Sequence, residues 1–327
     1  MQVDFIIVGQ GLAGINLAHH LWQKQYSYIA FTNPNQLSAT QAAAGIIHPI
    51  TGRRLVKSWM FDEAYPYALA TYQSMAQKFG VTLFKPLSIV EIFTSVKHRN
   101  DWYMRSSDAD INYLIESEIN EPLSGVIMPL GGIQLKATGY LQTTDMIKSA
   151  ISSTSVRQQV FDFKQLHFKN DQIIYQDITA SYIVFCDGCD ATNNPFINTL
   201  PFQLSKGEII EVYCEHLHSS YILNRNNFVL PISDNLFKVG ATYQWQYLNN
   251  QPSIEARMHL AQMLKQITHL PFEITNHWAA IRPTIKDRRP VVRWQQKNVG
   301  IINGLGTKGV LLAPLMARQL IDNLPAN

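Results

Sequence analysis

A glycine-rich turn near the N-terminus constrains the fold of this chain more than any other feature. Residues 9–14 read G-x-G-x-x-G, directly after an apolar run at 3–8 and at the start of a helical pattern at 12–22. A second apolar run follows at 27–31, so the segment predicts a β-α-β unit and a parallel sheet. In such a unit the glycines permit a tight turn and a close approach of a pyrophosphate to the backbone. The motif predicts a dinucleotide site formed by Gly9, Gly11, Leu12, Ala13 and Gly14.

The end of the second predicted strand lacks the acidic residue that usually binds the ribose of the dinucleotide. Thr32 and Asn33 stand there instead, and both can form hydrogen bonds without carrying a charge. We expect both to contact the cofactor. This motif alone leaves the choice between NAD and FAD open.

The composition describes a compact globular protein. Of its 327 residues 46% are hydrophobic and 16% are charged, which excludes a disordered chain. The net charge of +3 is too small to imply a nucleic-acid partner by itself. The three cysteines do not suggest a disulfide framework, and no apolar run reaches the roughly 18 residues of a membrane span. We therefore expect a cytoplasmic protein without a membrane partner.

Two patterns of hydrophobicity alternate along the chain. Those typical of the nucleotide-binding part are the N-terminal unit, a helix at 139–153, a buried strand at 182–186, a strand at 299–303 and a helix at 308–323. The middle has a helix at 61–79 and several half-buried strands at 87–94, 124–135, 208–214, 220–231 and 236–242. We interpret this as a discontinuous nucleotide-binding domain (1–60, 138–205 and 278–327) and a mainly antiparallel substrate domain (61–137 and 206–277).

Three further segments resemble one known family. They are SATQAAAGIIHP at residues 38–49, AIRPT at 280–284 and NGLGTKGVLLAP at 303–314. In this order they resemble the D-amino-acid oxidase-like family of FAD-dependent oxidoreductases, which includes glycine oxidase and sarcosine oxidase. The resemblance extends over nearly the whole chain.

The resemblance implies an α/β fold of the p-hydroxybenzoate-hydroxylase-like type with non-covalent FAD. It implies oxidation of the C–N bond of an amino acid or amine, by hydride transfer from the substrate carbon to flavin N5, followed by hydrolysis of the imine. No general base is required for this reaction. The cofactor contacts that it implies, with Val160 at the adenine end, are Ser38, Ala39, Ala43, Ala44, Gly45, Ile46, Val160, Asp187, Gly188, Asn303, Gly304, Leu305, Gly306, Thr307, Lys308, Gly309 and Val310.

Three residues are candidates for contact with the substrate. Arg282 is similar in position to the family arginine that holds the substrate carboxylate, with a structural ion pair as the alternative. Phe228 replaces a tyrosine of glycine oxidase and predicts a more apolar wall, which argues against glycine as the substrate. His48 follows the small-residue loop, which comprises residues 38–45, and is either a substrate or flavin contact or a turn residue.

Other features leave alternatives open. The basic residues Arg53, Arg54, Lys57, Arg288, Arg289 and Arg293 suit either an anionic substrate or a solvated face. The oxidase half of a bacterial tRNA-uridine-modifying enzyme belongs to the same family and acts on a carboxymethylaminomethyl group. A non-catalytic flavoprotein is a third alternative. We expect a small amine or amino acid as the substrate, oxygen or another electron acceptor as the second partner, and no nucleic acid.

Neither cysteines nor histidines predict a further centre. Cys186 and Cys189 form a C-x-x-C, which we interpret as packing at a strand end and not as a redox dithiol. Cys214, His216 and His218 lack a fourth ligand nearby, so no metal site is predicted.

Overall fold

The computed structural model describes residues 1–153, 155–247 and 249–325 and has the predicted α/β class of fold. The α-helices of this part of the chain are Leu12–Gln23, Ala39–Ala42, Phe61–Phe79, Val96–Ser106, Thr143–Ile151, Ile254–Leu264 and Gly309–Asp322. Short 3-10 helices lie at Asn112–Leu114, Phe163–Gln165, Gly188–Asn193 and Gly306–Lys308.

The N-terminal strand lies at the centre of an eight-stranded mixed sheet. Gln2–Val8 pairs in parallel with Tyr28–Thr32 on one side and with Ile178–Phe185 on the other. Two more parallel strands are Val156–Gln158 and Val299–Asn303, and the antiparallel members are Leu166–Lys169, Gln172–Tyr175 and Val291–Gln296. Because parallel strands share one direction, their carboxyl ends meet at one edge of the sheet, where ligands usually bind.

A second eight-stranded sheet is almost entirely antiparallel. Its only parallel pair joins Ile222–Arg225 to Ile89–Ile92 among the described residues. The order of its strands is Glu273–Arg282, Ser205–Tyr213, Leu236–Gly240, Asn227–Ser233, Ile222–Arg225, Ile89–Ile92, Gly132–Leu135 and Ile115–Ile119. A three-stranded sheet consists of Ile46–Ile47, Gly139–Leu141 and Phe84–Pro86. A two-stranded sheet pairs Ile50–Thr51 with Val56–Lys57.

The C-terminal helix Gly309–Asp322 forms the centre of the helical packing. It lies against both Leu12–Gln23 and Phe61–Phe79, and its residues 309–317 are all buried. Pro314 stands inside this helix and has no N–H for the carbonyl of Val310. The hydroxyl of Tyr72, from Phe61–Phe79, donates to that carbonyl at 2.7 Å. One buried side chain thus satisfies the acceptor that the proline leaves open.

Most of the predicted elements are present, and the helix predicted at 61–79 has these bounds in the structure. Two predictions were wrong in part. Only Gly132–Leu135 of 124–135 is a strand, because Gly125 and Gly131 adopt positive φ angles of 71° and 77° and turn the chain. The helix predicted at 139–153 begins only at Thr143, since Gly139–Leu141 pairs with two other strands.

A third prediction was incomplete. The strand predicted at 220–231 is a hairpin of Ile222–Arg225 and Asn227–Ser233, with Asn226 at a φ of 66° between them. The residue bounds of the two domains stay a prediction. Glu273–Arg282 runs across the predicted boundary at 278, and Phe61–Phe79 packs against the C-terminal helix.

Candidate active site

A cavity of about 1200 Å³ lies between the carboxyl ends of the parallel strands and the antiparallel sheet. Typical small-molecule pockets measure about 300–1,000 Å³, so this one has room for a large ligand. All the site residues predicted from the sequence line it, with the exception of Gly14. A Cβ atom at Gly14 would lie 1.9 Å from the carbonyl oxygen of Gly9, which fits a role in helix packing.

The glycine motif leaves bare backbone along one wall of the cavity. Gly9 has a φ of 101°, and a Cβ there would lie 2.3 Å from the carbonyl oxygen of Cys186. Gly11 begins the helix with ordinary extended backbone. The Leu12 N–H donates to the side-chain oxygen of Thr40 at 3.0 Å, which ties the small-residue loop to the helix start. Helix starts of this kind bind phosphate through their remaining N–H groups.

The small-residue loop forms a second bare stretch. Gly45 has a φ of 77°, and a Cβ would lie 2.1 Å from the carbonyl oxygen of Leu141. The Trp278 indole N–H donates to the Ala42 carbonyl at 2.8 Å and holds the loop against the antiparallel sheet. Only small side chains or backbone therefore face the cavity from residues 42–45.

The C-terminal loop at residues 303–308, before the C-terminal helix, supplies the third stretch of bare backbone. Asn303 donates to the Gly188 carbonyl at 3.0 Å and to the Asp187 carboxylate at 3.3 Å, so it connects two neighbouring strand ends. Gly304 adopts a φ of 73° close to Ile285. Together the three stretches form a long cavity walled by backbone, which fits the pyrophosphate and the flat ring of FAD.

Arg282 reaches the cavity from the last residue of Glu273–Arg282. Its guanidinium donates to the Thr242 carbonyl at 3.1 Å and to the Lys206 carbonyl at 3.5 Å, and lies 5.1 Å from the centre of the Tyr243 ring. Burial lowers the pKa of this guanidinium. No salt bridge joins it to a carboxylate within the described residues. The alternative of a structural ion pair therefore has no partner there.

His48 lines the cavity, but both of its ring nitrogens have protein partners. Nε2 lies 2.6 Å from a carboxylate oxygen of Glu91, and Nδ1 accepts from the Ile50 N–H at 3.3 Å. The same Glu91 oxygen accepts from the Asn224 side chain at 2.6 Å. Because Nδ1 is the acceptor, the proton of the neutral ring lies on Nε2. The ring joins the small-residue loop to the antiparallel sheet through Glu91.

Phe228 lines the cavity from the antiparallel sheet, where it is paired in register with Gly240. A Cβ at Gly240 would lie 3.0 Å from the end of the Phe228 ring. The apolar side chains of Ile89, Ile209 and Ile222 line the same region. Asn224, the register partner of Phe228, lines the cavity as well, so the apolar wall expected from Phe228 stays a prediction.

Lys308 brings another cation to the cavity. Its amine donates to the His48 carbonyl at 3.2 Å, and burial lowers its pKa from 10.5 to about 8. The prediction placed it among the cofactor contacts. The contact with the His48 carbonyl places Lys308 beside His48 in the cavity.

At the strand end formed by residues 186–190, burial alters the pKa of several ionisable side chains. Burial raises the pKa of Asp187 to about 7 and that of Cys189 to about 12, and raises the pKa of the Cys186 thiol as well. Both cysteines are free. Thiols of high pKa are poor nucleophiles, in accord with a packing role.

Several residues near the cavity were not found from the sequence. Glu91 and Asn224 contact His48 or each other only because distant strands meet, and no local motif marks them. Tyr243 beside Arg282, and Gln36 and Asp190 at the other end, also line the cavity. The alternation of hydrophobic residues places Glu91 in the predicted strand at 87–94 but not beside His48.

In the described part of the chain, no group of histidine, cysteine and acidic side chains is arranged to hold a metal ion. Within those same residues, every helix is too short or too polar to cross a membrane.

The sequence matches the family of FAD dependent oxidoreductases (DAO) over residues 4–323, and the chain belongs to this family. The family defines the cofactor as FAD and the protein as an FAD-dependent oxidoreductase. The geometry of the cavity agrees with that cofactor.

Individual relatives are distant. Glycine oxidase from Geobacillus kaustophilus has a similar fold with a TM-score of 0.80, at 17% identity, over 99% of this chain and 94% of that one. Iminodiacetate oxidase from Chelativorans sp. BNC1 follows with a TM-score of 0.75, at 18% identity, over 99% and 96%. The tRNA 5-methylaminomethyl-2-thiouridine biosynthesis bifunctional protein MnmC of Legionella pneumophila (strain Corby) is 21% identical over 306 residues, which are 88% of this chain and 45% of that protein. The chain thus spans about half the length of the curated relatives that it matches.

Proposed function

We propose that the protein oxidises the C–N bond of an amine that also carries a carboxylate, as amino acids and their N-substituted derivatives do. The observation that carries this proposal is Arg282, whose guanidinium reaches the cavity without a carboxylate partner in the described chain. A planar guanidinium is well suited to hold a carboxylate through paired hydrogen bonds. Such a contact would fix the substrate nitrogen and its neighbouring carbon at one place in the cavity.

When bound, FAD supplies the acceptor for the hydride, and the protein contributes position and environment. Arg282 orients the carboxylate, while Phe228 and the isoleucines keep water from the reacting carbon. Lys308 adds positive charge to the cavity beside His48. His48 positions the small-residue loop through its contact with Glu91 and does not serve as a general base.

The apolar wall also bears on the choice of substrate. Phe228 offers no hydroxyl for a polar group, and Ile209 and Ile222 extend the same surface. A substrate with an apolar substituent on the carbon or nitrogen would fill this space, whereas glycine would leave it empty. We therefore propose a substituted amino acid in preference to glycine.

The direct test replaces Arg282. In Arg282→Ala we expect the substrate concentration for half-maximal flavin reduction to rise by about 100-fold, while the flavin spectrum and FAD content stay unchanged. Arg282→Lys serves as the matched variant that keeps the charge but loses the paired donors. Loss of FAD from Arg282→Ala would show that the residue supports the cofactor and would overturn the assignment.

A second candidate substrate is an amine carried on a tRNA, and it rests on the basic rim of the cavity. This basic rim consists of Arg53, Arg54, Arg288 and Arg289, and within the described residues none of the four takes part in a salt bridge. Thr51 and Gly52 next to Arg53 line the cavity, as Arg288 does. Lys57 does not belong to the rim charge, because it pairs with Asp62 at 2.6 Å.

One exposed aromatic residue joins the two halves of the basic rim. The Arg289 guanidinium lies 4.6 Å from the centre of the Trp59 ring, which follows the hairpin carrying Arg53 and Arg54. Arginine side chains with stacked aromatic residues suit a nucleic-acid backbone and its bases. The matching relatives are named for tRNA biosynthesis, which favours this candidate further.

Binding to tRNA separates the two candidates. If the substrate amine is carried on tRNA, the affinity for tRNA should fall steeply with salt, and replacing Arg53 and Arg288 by glutamine should flatten that dependence. Reduction of the flavin by small amines should be unaffected by these two substitutions. Weak binding of tRNA that does not depend on the basic rim would exclude the second candidate.

A further inference from the structure

The end of Tyr28–Thr32, where a dinucleotide-binding fold usually binds the adenosine ribose, carries no acidic residue. Asn33 stands there, but its side-chain oxygen accepts from the Asn35 N–H at 2.9 Å and is used to close the turn. A dinucleotide fold usually binds the adenosine ribose with a carboxylate at this place. A carboxylate from another part of the chain is therefore needed if the ribose hydroxyls are to have the usual acceptor.

Asp190 is brought to this place by the sheet. It lies in the 3-10 turn Gly188–Asn193, which directly follows Ile178–Phe185, and it lines the cavity together with Asn33. Gln36, from the turn after Tyr28–Thr32, reaches across to it. With its amide nitrogen oriented toward Asp190, Gln36 donates to both carboxylate oxygens at 3.2 Å.

Asp187 and Asp190 lie at the same strand end but have different hydrogen-bond partners. Asp187 accepts from the side chains of Asn194 at 2.8 Å and Asn303 at 3.3 Å, so its oxygens are used to hold the turn and the C-terminal loop. Asp190 has the Gln36 amide and the weak thiol donor of Cys189 at 3.8 Å, and no cation within the described residues. A half-buried carboxylate without a cation retains acceptor capacity for further hydroxyl donors.

We propose that Asp190 accepts the hydroxyl hydrogen bonds of the adenosine ribose of FAD, in place of the acidic residue absent from the end of Tyr28–Thr32. Gln36 positions this carboxylate from the turn that would otherwise carry the acid itself. The proposal concerns recognition of the cofactor and does not depend on which amine is oxidised. It assigns to the 188–193 turn a binding role that the glycine motif alone does not predict.

The test pairs a change in the protein with a change in the ligand. The full chain is freed of flavin and titrated, by quenching of flavin fluorescence, with FAD and with analogues whose adenosine ribose lacks the 2′- or the 3′-hydroxyl. We expect the wild-type chain to bind at least one of these analogues about tenfold more weakly than FAD, since hydrogen bonds to charged groups are strong. Asp190→Asn should weaken FAD and abolish most of that difference.

Asn33→Ala is the matched control and should retain the preference for FAD over the same analogue. If Asp190→Asn weakens all ligands equally and leaves the preference intact, the residue only supports the fold and the proposal is wrong. If Asn33→Ala abolishes the preference instead, the ribose is bound from the end of Tyr28–Thr32 and the proposal is also wrong. Because the readout is a ratio of affinities, a general loss of stability does not imitate the expected result.

Discussion

The guanidinium of Arg282 lies directly over the backbone of Gly207, so that a Cβ at 207 would lie 2.1 Å from Nη2. The absence of a side chain at Gly207 makes the space that the guanidinium occupies. The Ser205–Tyr213 strand, which pairs with the strand of Arg282, thus shapes the part of the cavity where we propose that the carboxylate binds.

We predict that Gly207→Ala folds and binds FAD, because the three atoms nearest to the new methyl group all belong to the end of the Arg282 side chain. The displaced guanidinium should lose its grip on the substrate carboxylate, so KM should rise by about 10- to 100-fold with a smaller effect on kcat. Steady-state kinetics with a carboxylate-bearing amine would measure this. An unchanged KM would mean that the position of Arg282 does not matter for the substrate.

A second prediction concerns the helix proline. Tyr72→Phe leaves the buried carbonyl of Val310 without a donor, which should lower the free energy of unfolding by about 1–3 kcal/mol. Pro314→Ala restores a backbone N–H for the same carbonyl. The cost of Tyr72→Phe should therefore be smaller in the Pro314→Ala background. Equal costs in both backgrounds, measured by denaturant unfolding, would show that the Tyr72 hydroxyl does not compensate for the missing N–H of Pro314.

The glycine motif gives a third, contrasting pair of variants. Gly9→Ala should destabilise the fold itself, since Gly9 has a φ of 101° and its Cβ would meet the backbone of Cys186. Gly11 has an ordinary φ of −83°, and its Cβ would meet only the Thr40 hydroxyl at 3.1 Å. Gly11→Ala should therefore fold but bind FAD about tenfold or more weakly, because a methyl group hinders the approach of the pyrophosphate. Circular dichroism together with flavin titration distinguishes the two effects, and FAD affinity unchanged in Gly11→Ala would contradict the assignment.

The charge of Lys308 should make the binding of anions in the cavity depend on pH. Burial lowers the pKa of Lys308 to about 8, so its positive charge is present below that pH and is lost as the pH rises through it. The affinity of the cavity for acetate, which stays ionised, should accordingly fall between about pH 7 and pH 9. Perturbation of the flavin spectrum measures acetate binding, and Lys308→Met should flatten the profile. A pH-independent affinity for acetate in the wild-type chain would show that Lys308 does not contribute to acetate binding.

How much the sequence predicts depends on whether the determining contacts are local. The glycine turns, the N-terminal strand and the helix Phe61–Phe79 follow from spacing and periodicity within short windows. The strand predicted at 124–135 forms only at Gly132–Leu135, because the chain turns at Gly125 and Gly131. Between those glycines the Ile127 N–H donates to the Ile267 carbonyl, a partner that no local pattern indicates. The hairpin turn at Asn170 and Asp171, both at positive φ, carried a recognisable signal and was missed.

The candidate site divides in the same way. The cofactor segments are recognisable because bare backbone demands glycine and alanine at close spacing. The contacts of Glu91 with His48 and Asn224, and that of Gln36 with Asp190, join residues from different strands and turns. Side chains that meet only in the folded sheet cannot be paired from a single sequence without such a motif.

In the proposed reaction, an amine that carries a carboxylate reduces the bound flavin. The most direct test is the anaerobic loss of flavin absorbance with D- and L-amino acids, N-methyl amino acids and the corresponding amines without a carboxylate. We expect that substituted amino acids bleach the flavin, that the matching simple amines fail to do so, and that Arg282→Ala removes the difference between the two classes. Equal bleaching by amines with and without a carboxylate, or none by either class, would contradict this expectation.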